Sequence, residues 1–159
     1  NEFGHPEWID FPREGNNWSC KYARRQWHLL DDATLRYQFL ARFDRDMIAL
    51  ARTFRIFNSG EPRLLHEHGE RLVIAFERAG LIFAFNFHPT ASHFGYCIEA
   101  PPGKYRALLD SDSPHCGGHG RLVPGQEHVS LVEEVNGHPR TVLSLYLPTR
   151  TAVVLEKLR

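Results

Sequence analysis

Acidic, basic and aromatic side chains crowd residues 1–27. Glu2, Glu7, Asp10 and Glu14 supply carboxylates, His5 an imidazole, and Arg13, Arg24 and Arg25 guanidinium groups, while Trp8, Trp18 and Trp27 are all the tryptophans of the chain. Two carboxylates, one protonated and one not, can do general acid and base work when a fold holds them on either side of a substrate. Glu2, Glu7 and Asp10 are near enough in sequence for that. Nothing elsewhere in the chain supplies the opposite wall of a cleft, so they are not assigned as a catalytic pair. Neither helical nor strand periodicity runs through the segment. Long irregular loops with this chemistry commonly carry sites on a rigid scaffold.

Other groupings carry less. His66-x-His68 and His115-Cys116-x-x-His119 contain ligand types, but a closed zinc site needs four and no further Cys/His element completes either set. Asp110-Ser111-Asp112 lacks the spaced oxygen ligands and terminal Glu of a calcium loop and reads as an Asx-type turn. No metal and no cofactor is expected. Of the adjacent Arg24 and Arg25, one is expected to pair with Asp31 or Asp32. Cys20, Cys97 and Cys116 form no CxxC pair, which fits reduced thiols in a cytoplasmic protein.

With 159 residues, 42% of them apolar, the chain is large enough for one ordinary domain, or a small domain with an appended piece. Lys+Arg and Asp+Glu balance at 19 each. That excludes the basic surface that nucleic acid or an anionic membrane demands, and no apolar run is long enough to span a bilayer. A neutral polyhydroxylated ligand is compatible. The first residue is Asn and the only methionine is Met47, so the chain is expected to be a piece of a larger protein.

The elements that must position these residues fall in order. A helix is predicted from roughly Ala33 to Phe54, with Asp31 and Asp32 at its start. Its apolar stripe is Leu35, Phe39, Phe43, Met47, Leu50 and Phe54, and it ends before Asn58-Ser59-Gly60 and Pro62. From Leu64 to Leu158 the pattern is antiparallel β. Leu72–Phe76 and Leu81–Phe87 flank Arg78-Ala79-Gly80 as a hairpin. Further strands are expected at Gly95–Glu99, Tyr105–Leu109, Val129–Val135, Val142–Leu147 and Ala152–Leu158. About seven or eight short strands at such spacing make a sandwich or barrel.

Three stretches resemble a known family. Asn1-Glu2-Phe3-Gly4-His5-Pro6-Glu7-Trp8, continuing through Asp10-Phe11-Pro12-Arg13 and Gly15-Asn16-Asn17, is similar to the segment after the eighth barrel strand in 1,4-α-glucan (glycogen) branching enzymes of the eukaryotic type, in the α-amylase superfamily. Tyr22-Ala23-Arg24-Arg25-Gln26-Trp27 and Phe43-Asp44-Arg45-Asp46-Met47 continue the match into the last barrel helices. Ala75-Phe76-Glu77-Arg78-Ala79-Gly80, Phe85-Asn86-Phe87-His88-Pro89, Leu109-Asp110-Ser111-Asp112 and Gly117-Gly118-His119 resemble the C-terminal domain. Cys20 and Cys116 stand where the family pattern has aromatic residues, a departure that bears on packing.

The resemblance implies a mainly β chain. Residues 1–59 would be the terminal loop and last helix of an incomplete (β/α)8 barrel, and residues 60–159 an antiparallel β-sandwich of Greek-key type. Such enzymes cleave an α-1,4 glucan and transfer the freed end to a 6-hydroxyl. Retaining transfer needs two carboxyl groups about 5 Å apart, placed at the ends of several barrel strands. By the family pattern these lie upstream of Asn1, so no catalytic residue is expected here. Glu2, His5, Trp8 and Arg13 are the expected substrate-binding residues, because sugar C–H faces stack on aromatic rings and hydroxyls need hydrogen-bonding partners. Trp18 and Trp27 are expected to fill the junction between barrel and sandwich. The implied partners are an α-glucan such as glycogen or amylose and the rest of the barrel. Without the rest of its barrel, the piece is expected to show an exposed apolar patch on the helix face, a dimer that covers that face, or disorder in the loop. An autonomous carbohydrate-binding sandwich and a non-enzymatic interaction module are the alternatives.

Overall fold

The computed structural model describes residues 3–5, 9–135 and 137–159, with the backbone alone at Val135. The chain divides into two compact units, residues 1–45 and 46–159. The helix α1 (Tyr37–Thr53) contributes its first turns to one unit and its last turns to the other.

In the first unit most backbone is turn and single-turn 3-10 helix, at Glu14–Asn16 and Trp27–Leu30. The helix begins later than the expected Ala33. The Asp32 carboxylate accepts from both the backbone N–H and the hydroxyl of Thr34 (2.9 and 2.6 Å), and Leu35 N–H bonds to Asp32 C=O. A turn thus consumes the Asp that periodicity assigns to a helix cap, the competition expected of Asp side chains. The helix stops at Thr53, where Arg55 takes a left-handed conformation (φ 49°) before a 3-10 turn at Ile56–Asn58.

The second unit holds, among the described residues, nine strands: β1 (Arg63–His68), β2 (Val73–Arg78), β3 (Leu81–Asn86), β4 (His93–Glu99), β5 (Lys104–Asp110), β6 (Glu127–Val129), β7 (Leu131–Val135), β8 (His138–Leu147) and β9 (Thr151–Lys157). They form a six-stranded sheet in the order β1-β2-β3-β9-β5-β6 and a three-stranded sheet β4-β8-β7. Every pairing is antiparallel. The hairpin β2–β3 turns on Ala79 and Gly80, both at positive φ (54° and 75°), the twist that two-residue hairpins favour.

The expected single strand Val129–Val135 is two strands in different sheets. Ser130 makes the break. Its N–H donates to Gly103 C=O (2.9 Å) and its hydroxyl accepts from Gly103 N–H (2.7 Å), which lets β6 join the large sheet and β7 the small one.

Alternate residues of the two sheets meet in one core. Val73, Ala75, Ile82, Ala84, Val153 and Leu155 come from the large sheet, and Tyr96, Ile98, Leu143, Leu145 and Leu147 from the small one. On the other face of the large sheet, Leu81 and Val154 pack with Ile56, against Leu50, Ala51 and Phe54 from the helix end. The lower part of the predicted stripe is therefore covered within the unit. Met47, expected on the stripe, is exposed, as is Ile48. Burying apolar area of this kind contributes roughly 25 cal/mol per Å².

Asn86 locks the strand ends. It is buried, its Nδ2 facing the carbonyls of Ala91 (2.9 Å), Leu147 (3.0 Å) and Pro148 (3.1 Å), while its Oδ1 accepts from His88 N–H (2.9 Å). The connection after β3 is thereby tied to the turn between β8 and β9.

Candidate functional site

Of the four expected substrate-binding residues, Glu2 and Trp8 lie outside the described residues. His5 belongs to an aromatic cluster. Its ring meets Tyr37 edge-on (5.2 Å, 73°) and Phe3 at 6.0 Å, and the buried Phe3 ring also contacts Trp27 (5.4 Å) and Tyr37 (5.9 Å). Arg25 lies over the Trp27 ring (5.6 Å), a cation–π contact.

Arg13 sits in a separate polar turn. Its Nε donates to Asp10 Oδ1 (3.0 Å), Asn16 Nδ2 donates to Asp10 Oδ2 (3.1 Å), and Asn16 Oδ1 accepts from Arg13 N–H (2.9 Å). The hydrogen bond from Arg13, then that from Asn16, holds the Asp10 carboxyl below its ordinary value. Asn17 and Trp18, both left-handed (φ 53° and 56°), swing the next ring outward. Trp18 is 70% exposed. Phe11, Tyr22 and Trp27 are exposed as well. Exposed aromatic rings thus occur in the first unit with amide, imidazole and guanidinium groups, in two local sets, and Trp27 also packs on Phe3. That composition suits a ligand with both apolar faces and hydroxyls.

The histidine pairs do not converge. His66 Nε2 hydrogen-bonds Tyr96 Oη (2.8 Å), and burial, with the like charge on His68, pushes its imidazole below its ordinary value. His68 Nδ1 instead accepts from Arg71 N–H (3.4 Å). His115 pairs with Asp46 (3.3 Å). Among the described residues no three His, Cys, Asp or Glu groups meet as a metal set would.

Asp110-Ser111-Asp112 forms the expected Asx turn, Asp110 Oδ1 accepting from Asp112 N–H (2.8 Å). Sequence reading missed the partners of Asp112. This residue is 3% exposed and is gripped by Arg121 and by His119 N–H (3.2 Å). Burial raises the Asp112 carboxyl, and the hydrogen bonds from Arg121 and His119 outweigh it, so the net shift is downward. A polar cleft of 370 Å³ opens beside this pair, lined also by Pro89, Ser111, Thr149 and Arg150. With their charges matched to each other, Asp112 and Arg121 brace the loop.

A second feature that sequence reading missed is a stack on the small sheet. Phe94 lies face to face with Tyr146 (4.2 Å, 12°). The available signal was Gly95, since glycine within a strand pattern marks a bulge.

Known proteins align with this framework. The family model described as alpha amylase, C-terminal all-beta domain, matches residues 65–157. A 1,4-alpha-glucan-branching enzyme of Equus caballus is 48% identical over 157 residues, 98% of this chain and 22% of that protein. The 1,4-alpha-glucan-branching enzyme of Solanum tuberosum is 49% identical over 142 residues, 89% of this chain and 16% of the relative. That of Dictyostelium discoideum is 45% identical over 159 residues, 99% and 23% respectively. The chain thus spans about a fifth of the length of these relatives.

Proposed function

We propose, from the premise that this chain belongs to the family of the alpha amylase C-terminal all-beta domain, that it is the C-terminal portion of a 1,4-α-glucan branching enzyme. One observation carries the reading. Near half identity runs over 98% of the chain, and so extends through the loop and helix that precede the matched domain at residue 65. A shared all-β domain alone would not extend there.

In this reading the parent protein cleaves an α-1,4 glucan and transfers the freed segment to a 6-hydroxyl. Two carboxyl groups about 5 Å apart perform such retaining transfer, and in a barrel of about 250 residues they stand at the ends of different strands. Residues 1–59 supply the last loop and helix of that barrel and residues 60–159 the all-β domain, so this chain alone carries no catalytic residue. His5 and Arg13, with Glu2 and Trp8, form the substrate-side rim. The exposed rings take the C–H faces of glucose units, and the imidazole and guanidinium take their hydroxyls. Cys20 and Cys97, neither in a disulfide, support placing the parent in the cytoplasm, where thiols stay reduced. Among the described residues no helix is long and apolar enough to cross a membrane.

The test is the iodine colour of amylose. The intact parent should lower its absorbance by introducing branches, and the chain alone should leave it unchanged. Turnover by the chain alone contradicts the assignment of catalysis elsewhere.

A further inference from the structure

In a regular strand Phe94, Tyr96 and Ile98 would share one face. Tyr96 and Ile98 are buried in the core between the sheets, so regular alternation would bury Phe94 with them. The register of β4 on β8 slips between His93 and Tyr96, with Gly95 left-handed at φ +59°. This bulge turns Phe94 to the opposite face, where it stacks on Tyr146 and remains 78% exposed. Bulges re-aim side chains in this way, and exposing a phenylalanine ring that alternation would bury forfeits hydrophobic stabilisation. The surroundings are polar. Ser144, the next residue of β8 on that face, lies opposite Cys97, Cys97 Sγ meets Glu133 (3.2 Å), and Arg140 pairs with Glu99 (3.1 Å). The helix end packs on the far face of the large sheet, so the outer face of the small sheet is the side of the sandwich away from it.

We propose that Phe94, supported by Tyr146, is the platform of a surface site for an α-1,4-glucan chain. The inference rests on the branching-enzyme reading for the identity of the ligand. An open aromatic face accepts the C–H face of a glucose ring. The Ser144 hydroxyl, the Glu99 and Glu133 carboxylates and Arg140 are within the same sheet face to accept from and donate to its hydroxyls. The glucan is uncharged, as suits a face whose arginine, Arg140, is already paired with Glu99. The site holds chains and does no chemistry.

Affinity electrophoresis of the chain through gels with and without glycogen tests it. The chain should be retarded by glycogen. Phe94→Ala should weaken apparent affinity about tenfold, the scale of one aromatic contact, while Phe94→Trp should retain it. Both variants should keep the wild-type unfolding midpoint, because the ring is outside the core. A wild-type chain that glycogen does not retard, or a Phe94→Ala chain retarded as strongly as wild type, overturns the site. If in either case the intact parent still branches amylose, the branching-enzyme reading stands. A parent that binds glycogen through Phe94 yet makes no branches overturns that reading and keeps the site.

Discussion

Arg121 holds Asp112 with its guanidinium and its own backbone N–H: Nη2 to Oδ1 at 2.8 Å, Nε to Oδ2 at 3.0 Å and N to Oδ2 at 2.8 Å. Nη2 also reaches Thr149 C=O (3.3 Å), so one side chain joins the loop after β5 to the turn before β9. Arg121→Leu leaves a buried carboxylate without its counterion, and should cost about 3 kcal/mol of unfolding free energy. Urea unfolding monitored by circular dichroism measures it.

The same pair sets a pH dependence. The folded-state pKa of Asp112 lies below its ordinary 3.8, so its contribution is complete above that value and is lost as pH falls through the lower folded-state pKa. Arg121→Leu removes the depression and should move the acid-unfolding midpoint to higher pH. An unmoved midpoint would show that the pair does not govern acid stability.

Gly118 cannot be replaced cheaply. A Cβ there would stand 2.2 Å from both the carbonyl carbon and oxygen of Asp112, and backbone cannot yield as a flexible side chain does. Gly118→Ala should destabilise by about 2 kcal/mol or more, with the thermal midpoint as readout.

Asn86→Leu keeps the size and removes the polar partners. The carbonyls of Leu147 and Pro148 then lose the buried donor that serves them, at a cost of about 2–3 kcal/mol. Chemical denaturation should show it with an unchanged dependence on denaturant concentration.

His66 and His128 both have imidazoles pushed below the ordinary 6.5 by burial. The unfolded chain therefore binds more protons just below that value, so stability is full above pH 6.5 and declines as pH falls toward the folded-state pKa values. Replacing His66 by Phe should flatten part of the decline between pH 6.5 and 5 in thermal-melt series.

Much of this architecture is legible in the sequence because local rules and tertiary packing agree. The β2–β3 hairpin is an example, since Ala79-Gly80 separates two apolar runs and also meets the turn geometry. Disagreement marks the misses. Asp32 serves Thr34 instead of the helix. Ser130 divides an apolar run between two sheets through a bond to Gly103, 27 residues away, which no periodicity records. Asp112 and Arg121 are nine residues apart, and nothing in either neighbourhood announces the pairing. Phe94 lies outside the expected strand Gly95–Glu99, and the bulge at Gly95 that turns its ring outward is set by the pairing of β4 with β8, which no local pattern records. Of the expected rim, His5 and Arg13 could be read as chemistry but not as neighbours, because they join two local sets, one aromatic and one polar.

The most direct measurement is the linkage content of amylose after incubation with the intact protein that carries this chain. Proton NMR should show a growing α-1,6 anomeric signal with the total glucosyl content of the polymer conserved. Release of short maltooligosaccharides without new α-1,6 linkages would contradict the account.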